Sequence, residues 1–201
     1  MVKVKICGIT NPGDAMMAVE SGADALGFIF VENTPRYIAP DKAASIIRGL
    51  PPFVTPVGVF WDHPTGHVKA VAEACGLRAL QFHGDETPEE LVHYALPVIK
   101  TIKVSGPQDL ARMQPYQVSA FLLDSAERWS EGDPRQPIEW RLARMVSFRI
   151  ILSAGLTPEN VGRAVSIARP YAVDVNSGVE ARPGKKDPDK VWRFISEARR
   201  G

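Results

Sequence analysis

Five side chains able to do chemistry stand at or near the ends of short apolar runs. Cys7 closes Val2–Cys7, Arg36 follows Ala25–Phe30, His83 closes Ala79–His83, Asp124 closes Ala120–Asp124, and Asp174 lies within Ala172–Val175. A lone cysteine is by default a small buried hydrophobe. At the end of a strand in an open mouth its thiolate can instead act as a base or nucleophile. Asp124 follows Phe121-Leu122-Leu123, and partial burial there favours the neutral carboxylic acid, a proton donor. Arg36, after Pro35, has the fork geometry to clamp a carboxylate, although a single loop arginine is more often just solvated. His83 fits either substrate contact or a hydrogen bond at a strand end. Asp174 fits either a substrate contact or an ion pair with a cation such as Lys5 or Lys100. Cys75, at the end of a helical stretch, reads as structural.

Two glycine turns complete the set. Gly155 follows the run Ile150–Ser153, and Gly178 follows Ala172–Val175 by way of Asn176-Ser177. Glycine lets backbone N–H groups approach an oxyanion closely. Thr157-Pro158-Glu159-Asn160 then reads as the start of a helix, whose N-terminus also favours an anion. Glycines in tight turns need no ligand to explain them, but two such turns after consecutive strands point to phosphate. Together these groups suit acid–base chemistry on an anionic substrate. They do not suit a metal: His83 with Asp124 is too small a ligand set, and no cofactor is expected.

The positioning elements follow from periodicity. Eight runs rich in Val, Ile and Phe read as strands: the five already given, counting Ala25–Phe30, together with Pro56–Phe60, Val98–Val104 and Ile150–Ser153. Helical patterns lie between them. Asn11-Pro12, Thr87-Pro88, Thr157-Pro158 and Asp187-Pro188 each put a capping side chain before a proline, which suits the first helical position because its missing N–H would be unpaired there. Thr87 and Glu90 have capping-box spacing, and Gly22 and Gly76 are stop signals. Eight strands alternating with about eight helices imply parallel pairing and a single (β/α)₈ TIM barrel of the phosphate-binding type over residues 1–201. An open doubly wound sheet is the rival, but no GxGxxG turn follows the first strand. In a barrel the active site lies at the C-terminal ends of the strands, with phosphate after the seventh and eighth. The residues singled out above fall at those places.

Composition narrows the class. The chain has 201 residues, 45% of them hydrophobic, and 24 basic against 23 acidic side chains for a net charge of +1. That balance gives no electrostatic reason to expect nucleic acid as a partner. Lys185-Lys186 and Arg199-Arg200 read as solvated charge. No apolar run approaches the length of a membrane helix, and the N-terminus does not resemble a signal peptide. A cytoplasmic protein acting on a small phosphorylated sugar, as a monomer or homodimer, is the expectation.

Several segments are shared with a known family. Val4-Lys5-Ile6-Cys7-Gly8-Ile9-Thr10, Pro35-Arg36-Tyr37-Ile38, Gln81-Phe82-His83-Gly84, Leu123-Asp124-Ser125, Ala154-Gly155-Leu156-Thr157-Pro158-Glu159-Asn160 and Val173-Asp174-Val175-Asn176-Ser177-Gly178-Val179-Glu180 resemble the phosphoribosylanthranilate isomerases of tryptophan biosynthesis. Ala25–Phe30 and the tail Pro183-Gly184-Lys185-Lys186-Asp187 fit as well. The resemblance implies an Amadori rearrangement without metal or cofactor, with Cys7 as general base and Asp124 as general acid. It further implies Arg36 at the anthranilate carboxylate, Asp174 near the substrate's amino or hydroxyl groups, and Gly155, Ser177 and Gly178 around the phosphate. The chain departs from the family after the sixth strand. Where a glycine-rich stretch close to GGTGKTFDW is usual, Ser130–Trp140 keeps one glycine and the tryptophan. Ala154 replaces a common glycine and Asn176 a common serine. The competing readings are another phosphosugar isomerase or epimerase on the same barrel, and a barrel that binds a phosphorylated ligand without turnover.

Overall fold

A computed structural model describes residues 1–126 and 137–201. Its centre is a closed barrel of eight strands in sequence order: β1 (Lys3–Cys7), β2 (Ala25–Ile29), β3 (Thr55–Phe60), β4 (Ala79–Phe82), β5 (Val98–Val104), β6 (Ala120–Ser125), β7 (Ile150–Leu152) and β8 (Ala172–Val175). Every neighbouring pair is parallel, and β8 closes on β1. The eight sequence-predicted runs are these strands, shifted by a residue at some ends.

The crossovers are uneven. Full helices α1 (Pro12–Glu20), α2 (Pro40–Arg48) and α3 (Thr65–Cys75) follow the first three strands. Among the described residues the next three connections hold a single helical turn, α4 (Pro88–Leu91), and 3₁₀ turns at Pro107–Met113 and Trp140–Arg144. Pro115 follows the first 3₁₀ turn and stops it from continuing as a helix toward β6. Helices α5 (Val161–Ala168) and α6 (Pro188–Arg200) complete the shell. Asn11, Thr87 and Asp187 cap as expected, Thr87 in a reciprocal box with Glu90. Gly76 ends α3 in the left-handed region, and Gly22 follows the end of α1.

Thr157-Pro158 is corrected in part: the Thr157 hydroxyl accepts from the Glu159 N–H at 3.3 Å and so caps a turn, but α5 itself begins at Val161, after Asn160. The Asn160 side chain accepts from the Thr157 N–H at 2.9 Å and donates to the Gly155 carbonyl at 2.8 Å. It clasps the preceding turn instead of capping the helix. An additional antiparallel hairpin, β9 (Glu180–Arg182) with β10 (Lys185–Lys186), follows β8.

Side chains alternate along each strand between the barrel interior and the helical shell. The interior holds an apolar layer of Val57, Ala79, Ile99, Ala120, Leu122, Ile151 and Ala172, with Ala25 packed on it. The opposite parity, including Ile6, Phe28, Phe82, Leu123 and Val173, packs against the helices as a second core. Among the described residues no helix is long and apolar enough to cross a membrane.

Candidate active site

The same alternation carries polar groups into the barrel above its apolar layer. Lys5 is in register with Ala25 and with Asp174, and Cys7 with Gly27. Asp174 stands two residues beyond Ala172, Asp124 two beyond Leu122, and Gln81 two beyond Ala79. All therefore point inward, toward the C-terminal ends of the strands. Among the described residues no three His, Cys, Asp or Glu side chains converge as a metal site.

Cys7 is buried, and Lys5 lies one pleat beneath it with its Nζ 2.8 Å from Asp174 Oδ1. Of the two cations expected as candidates for Asp174, Lys5 is the partner; Lys100 pairs elsewhere. Burial pushes the Cys7 thiol up from its ordinary value, against the opposing pull of the Lys5 ammonium. Burial disfavours charge on Lys5 too, but Asp174 and Cys7 outweigh it and its shift is upward. Without substrate the cysteine is therefore held toward the thiol, whereas base chemistry requires thiolate.

Asp124, the last residue but one of β6, lies three strands around the ring from β1, 4% exposed, with Oδ1 accepting from the Ser125 N–H at 2.9 Å. His83 follows β4 and stacks on Trp61 at 6.0 Å, and Lys103 Nζ sits 4.5 Å from the Trp61 ring on its own account. The loops carrying Trp61 and His83 are braced from outside the barrel. Lys100 Nζ pairs with Glu86 Oε2 at 2.6 Å and donates to the Gly84 carbonyl, while Glu86 Oε1 accepts from the N–H groups of Asp62 and Gly84.

The two glycine turns meet. A Cβ on Gly178 would lie 2.0 Å from the Leu156 carbonyl oxygen, so only glycine lets the β8 turn close onto the β7 turn. Gly155 has φ 59° and Ala154 φ 63°, which turn the chain sharply at the end of β7. Ser177 opens a short 3₁₀ turn, Ser177–Val179, and is exposed at the mouth.

Arg36 is held by a carboxylate of the protein itself. Its Nη2 lies 2.7 Å from Glu180 Oε2, and its Nε donates to the same carboxylate at 3.0 Å. Glu180 also receives Lys186 Nζ at 3.1 Å, and Lys186 donates to the Asn176 Oδ1 at 3.0 Å. Burial opposes charge on Glu180, but the Arg36 fork and Lys186 outweigh it and hold its carboxyl below the usual range. Lys186 is pushed down by burial, with Glu180 and Cys7 pulling the other way. The reading of Lys185-Lys186 as solvated is thus corrected for Lys186, which is 1% exposed; Lys185 stays exposed, with its ammonium paired to buried Asp14. Arg199 and Arg200 remain on the surface. Glu180 and Lys186 were missed as site residues because their roles come from the hairpin that folds Lys186 back under Arg36. The only sequence signal was their place within the family-like segments. Residues 127–136, the core of the atypical stretch after β6, lie outside the described residues.

Comparisons with known proteins agree with this architecture. A sequence model of the N-(5'phosphoribosyl)anthranilate (PRA) isomerase family matches residues 4–197. The N-(5'-phosphoribosyl)anthranilate isomerase of Geobacter sp. (strain M21) is 50% identical over 202 aligned positions, covering 100% of this chain and 99% of that protein. The crystal structure of phosphoribosyl anthranilate isomerase from Thermotoga maritima superposes with a TM-score of 0.91 at 44% identity, over 99% of both chains. A phosphoribosyl anthranilate isomerase in complex with reduced 1-(o-carboxyphenylamino)-1-deoxyribulose 5-phosphate superposes at 0.90 with 45% identity, again over 99% of both. The chain belongs to the N-(5'-phosphoribosyl)anthranilate isomerase family.

Proposed function

We propose that Cys7 and Asp124 carry the Amadori rearrangement that this isomerase performs on N-(5-phosphoribosyl)anthranilate in tryptophan biosynthesis. The observation that supports this most is the facing of a buried thiol on β1 and a buried carboxyl on β6 into one mouth, beside the joined turns after β7 and β8 where this fold takes phosphate.

Asp124 donates its proton to the furanose ring oxygen. The C1–O bond breaks, and the nitrogen lone pair forms the iminium. Cys7, as thiolate, removes the proton from C2, whose bonding pair becomes the C1=C2 bond of the enolamine while the C=N pair returns to nitrogen. The 2-hydroxyl then loses its proton as C1 gains one, which yields the ketone, 1-(2-carboxyphenylamino)-1-deoxyribulose 5-phosphate. Two protons are given and two removed, so no redox partner or cofactor is required. The reaction needs Asp124 as carboxylic acid and Cys7 as thiolate at one pH.

Backbone N–H groups at Gly155 and Gly178 and the Ser177 hydroxyl take the phosphate. Arg36 faces the anthranilate carboxylate, its guanidinium oriented by Glu180. Asp174 approaches the amino or hydroxyl groups, and His83 lines the wall with Trp61.

The test follows the loss of substrate fluorescence, with phosphoribosylanthranilate generated in situ and chelator present. Cys7→Ser is expected to lose turnover by at least about a thousandfold while keeping the fold, because a hydroxyl is far too weak a base near neutral pH. Asp124→Asn is expected to bind ligand without opening the ring. Near-normal rates in either variant would move that role to another residue.

A further inference from the structure

The base assignment leaves a difficulty that the structure itself addresses. A thiol sealed in a barrel interior is held toward its neutral form, and the reaction needs its anion. Beneath Cys7, on the same strand and the same face, is a buried lysine. A Cβ added to Gly27, the residue in register with Cys7 on β2, would lie 2.6 Å from Cys7 Sγ and 3.0 Å from Lys5 Nζ. Sulfur and ammonium thus converge on the space a side chain at Gly27 would fill. The ammonium is fixed there from the other side by Asp174 on β8, 2.8 Å away and in direct register with Lys5.

We propose that Lys5 is a positioning residue for the reaction: clamped by Asp174 and given room by Gly27, its ammonium holds the Cys7 thiolate aimed at the substrate carbon. This rests on the reading of Cys7 as base. A buried ammonium is a costly way to fill a barrel. A pair of buried charges often contributes no more stability than apolar side chains of the same volume. A role at the adjacent sulfur accounts for its place one pleat below Cys7.

The charged groups facing Cys7 are Lys5 on its own strand, Asp174 on β8 and Lys186 on β10. Glu180 stands behind Lys186, and Arg36 passes over neighbouring Gly8. Lys5 and Lys186 favour thiolate, and Asp174 opposes it. Removing Lys5 therefore moves the thiol further up, and thiolate becomes scarcer at any given pH.

The experiment uses a Cys75→Ser background, in which Cys7 is the sole thiol and the replaced hydroxyl can still reach the Pro40 carbonyl that Cys75 contacts. Thiolate absorbance is titrated against pH, and kcat and KM are measured over the same range. In Lys5→Met the titration is expected to move up by at least about one unit. Thiolate at a fixed pH below it then falls about tenfold. kcat is expected to fall with it and to recover as pH rises, a recovery that a KM change from the released Asp174 would not produce.

A folded Lys5→Met variant whose Cys7 titrates as before overturns the proposal. Should the uncompensated Asp174 prevent folding, Lys5→Met/Asp174→Asn removes both charges and is read by titration alone. Because Lys5 Nζ converges on the sulfur at Gly27 while Asp174 holds the ammonium from the other side, the titration is still expected to move up, and a stationary one is again decisive against Lys5. Full turnover in Cys7→Ser overturns the base assignment, and with it any catalytic use of Lys5, whichever way the titration moves.

Discussion

Cys7, Asp174 and Ala154 each occupy a place with a local energetic cost. The buried Lys5–Asp174 pair and the raised Cys7 thiol make the site an electrostatic device rather than a stabilising core. Ala154 is the conformational counterpart. It holds φ 63° at the end of β7, where a residue with a Cβ is disfavoured by roughly 1–2 kcal/mol. Ala154→Gly removes that strain but loosens the unfolded chain. A net gain of about 0.5–1 kcal/mol is expected, seen as a Tm rise of about 1–4 °C. A lower Tm would show that the Ala154 methyl contributes more packing than its backbone costs.

Among the elements, the β9–β10 hairpin does more than its size suggests. It places Glu180 between Arg36 and Lys186 and sets Lys186 N–H against Asp14 at the start of α1. Glu180→Gln leaves two cations without their anion. A loss of about 3 kcal/mol is expected in chemical denaturation, with a raised KM because Arg36 is no longer held. The same carboxylates set an acid limit. Burial pushes Asp14 and Glu180 up, but Lys185 and the Lys186 N–H outweigh it at Asp14, as Arg36 and Lys186 do at Glu180, and both end below their ordinary values. Their contribution is complete above the unfolded carboxyl range, near pH 4–5, and is lost as pH falls through the lowered folded values. Denaturation midpoints compared at about pH 5 and pH 3 should show this loss, and Glu180→Gln should show less of it. An equal acid loss in that variant would place the linkage elsewhere.

Across the whole molecule, the barrel interior is graded. An apolar layer closes it below, and ionisable groups occupy it above. Leu122 belongs to the lower layer, is 0% exposed, and stands directly beneath the Asp124 position on β6. Leu122→Ala removes its side chain from a closed ring of strands that cannot collapse around the gap. A loss of about 2–5 kcal/mol is expected, and a loss below about 1 kcal/mol would mean that the ring does relax. The two cores also explain why short crossovers suffice on one side. The strands bury both faces, so α4 and the 3₁₀ turns at Pro107–Met113 and Trp140–Arg144 need only cover the outer one.

Strand runs, proline-marked helix starts and the turns at Gly155 and Gly178 were legible in the linear order, because alternation, capping and turn chemistry act over a few residues. That local information, together with the family-like segments, was enough for the barrel and for naming eight candidate site residues. Contacts across long separations were not legible in that way. The sequence leaves Asp174 a choice of Lys5 or Lys100, and the contact across 169 positions selects Lys5; Arg36 meets Glu180 across 144 and Lys186 N–H meets Asp14 across 172, and neither is foreseen. No local pattern separates a solvated Lys186 from a buried one, since the same side chain suits water or a carboxylate equally well. Barrel closure and the fold-back of the last hairpin settle which it meets. The Thr157 start held for one turn only, for a related reason. Asn160 had a second partner, the Gly155 carbonyl, and tightening that turn delayed the helix to Val161.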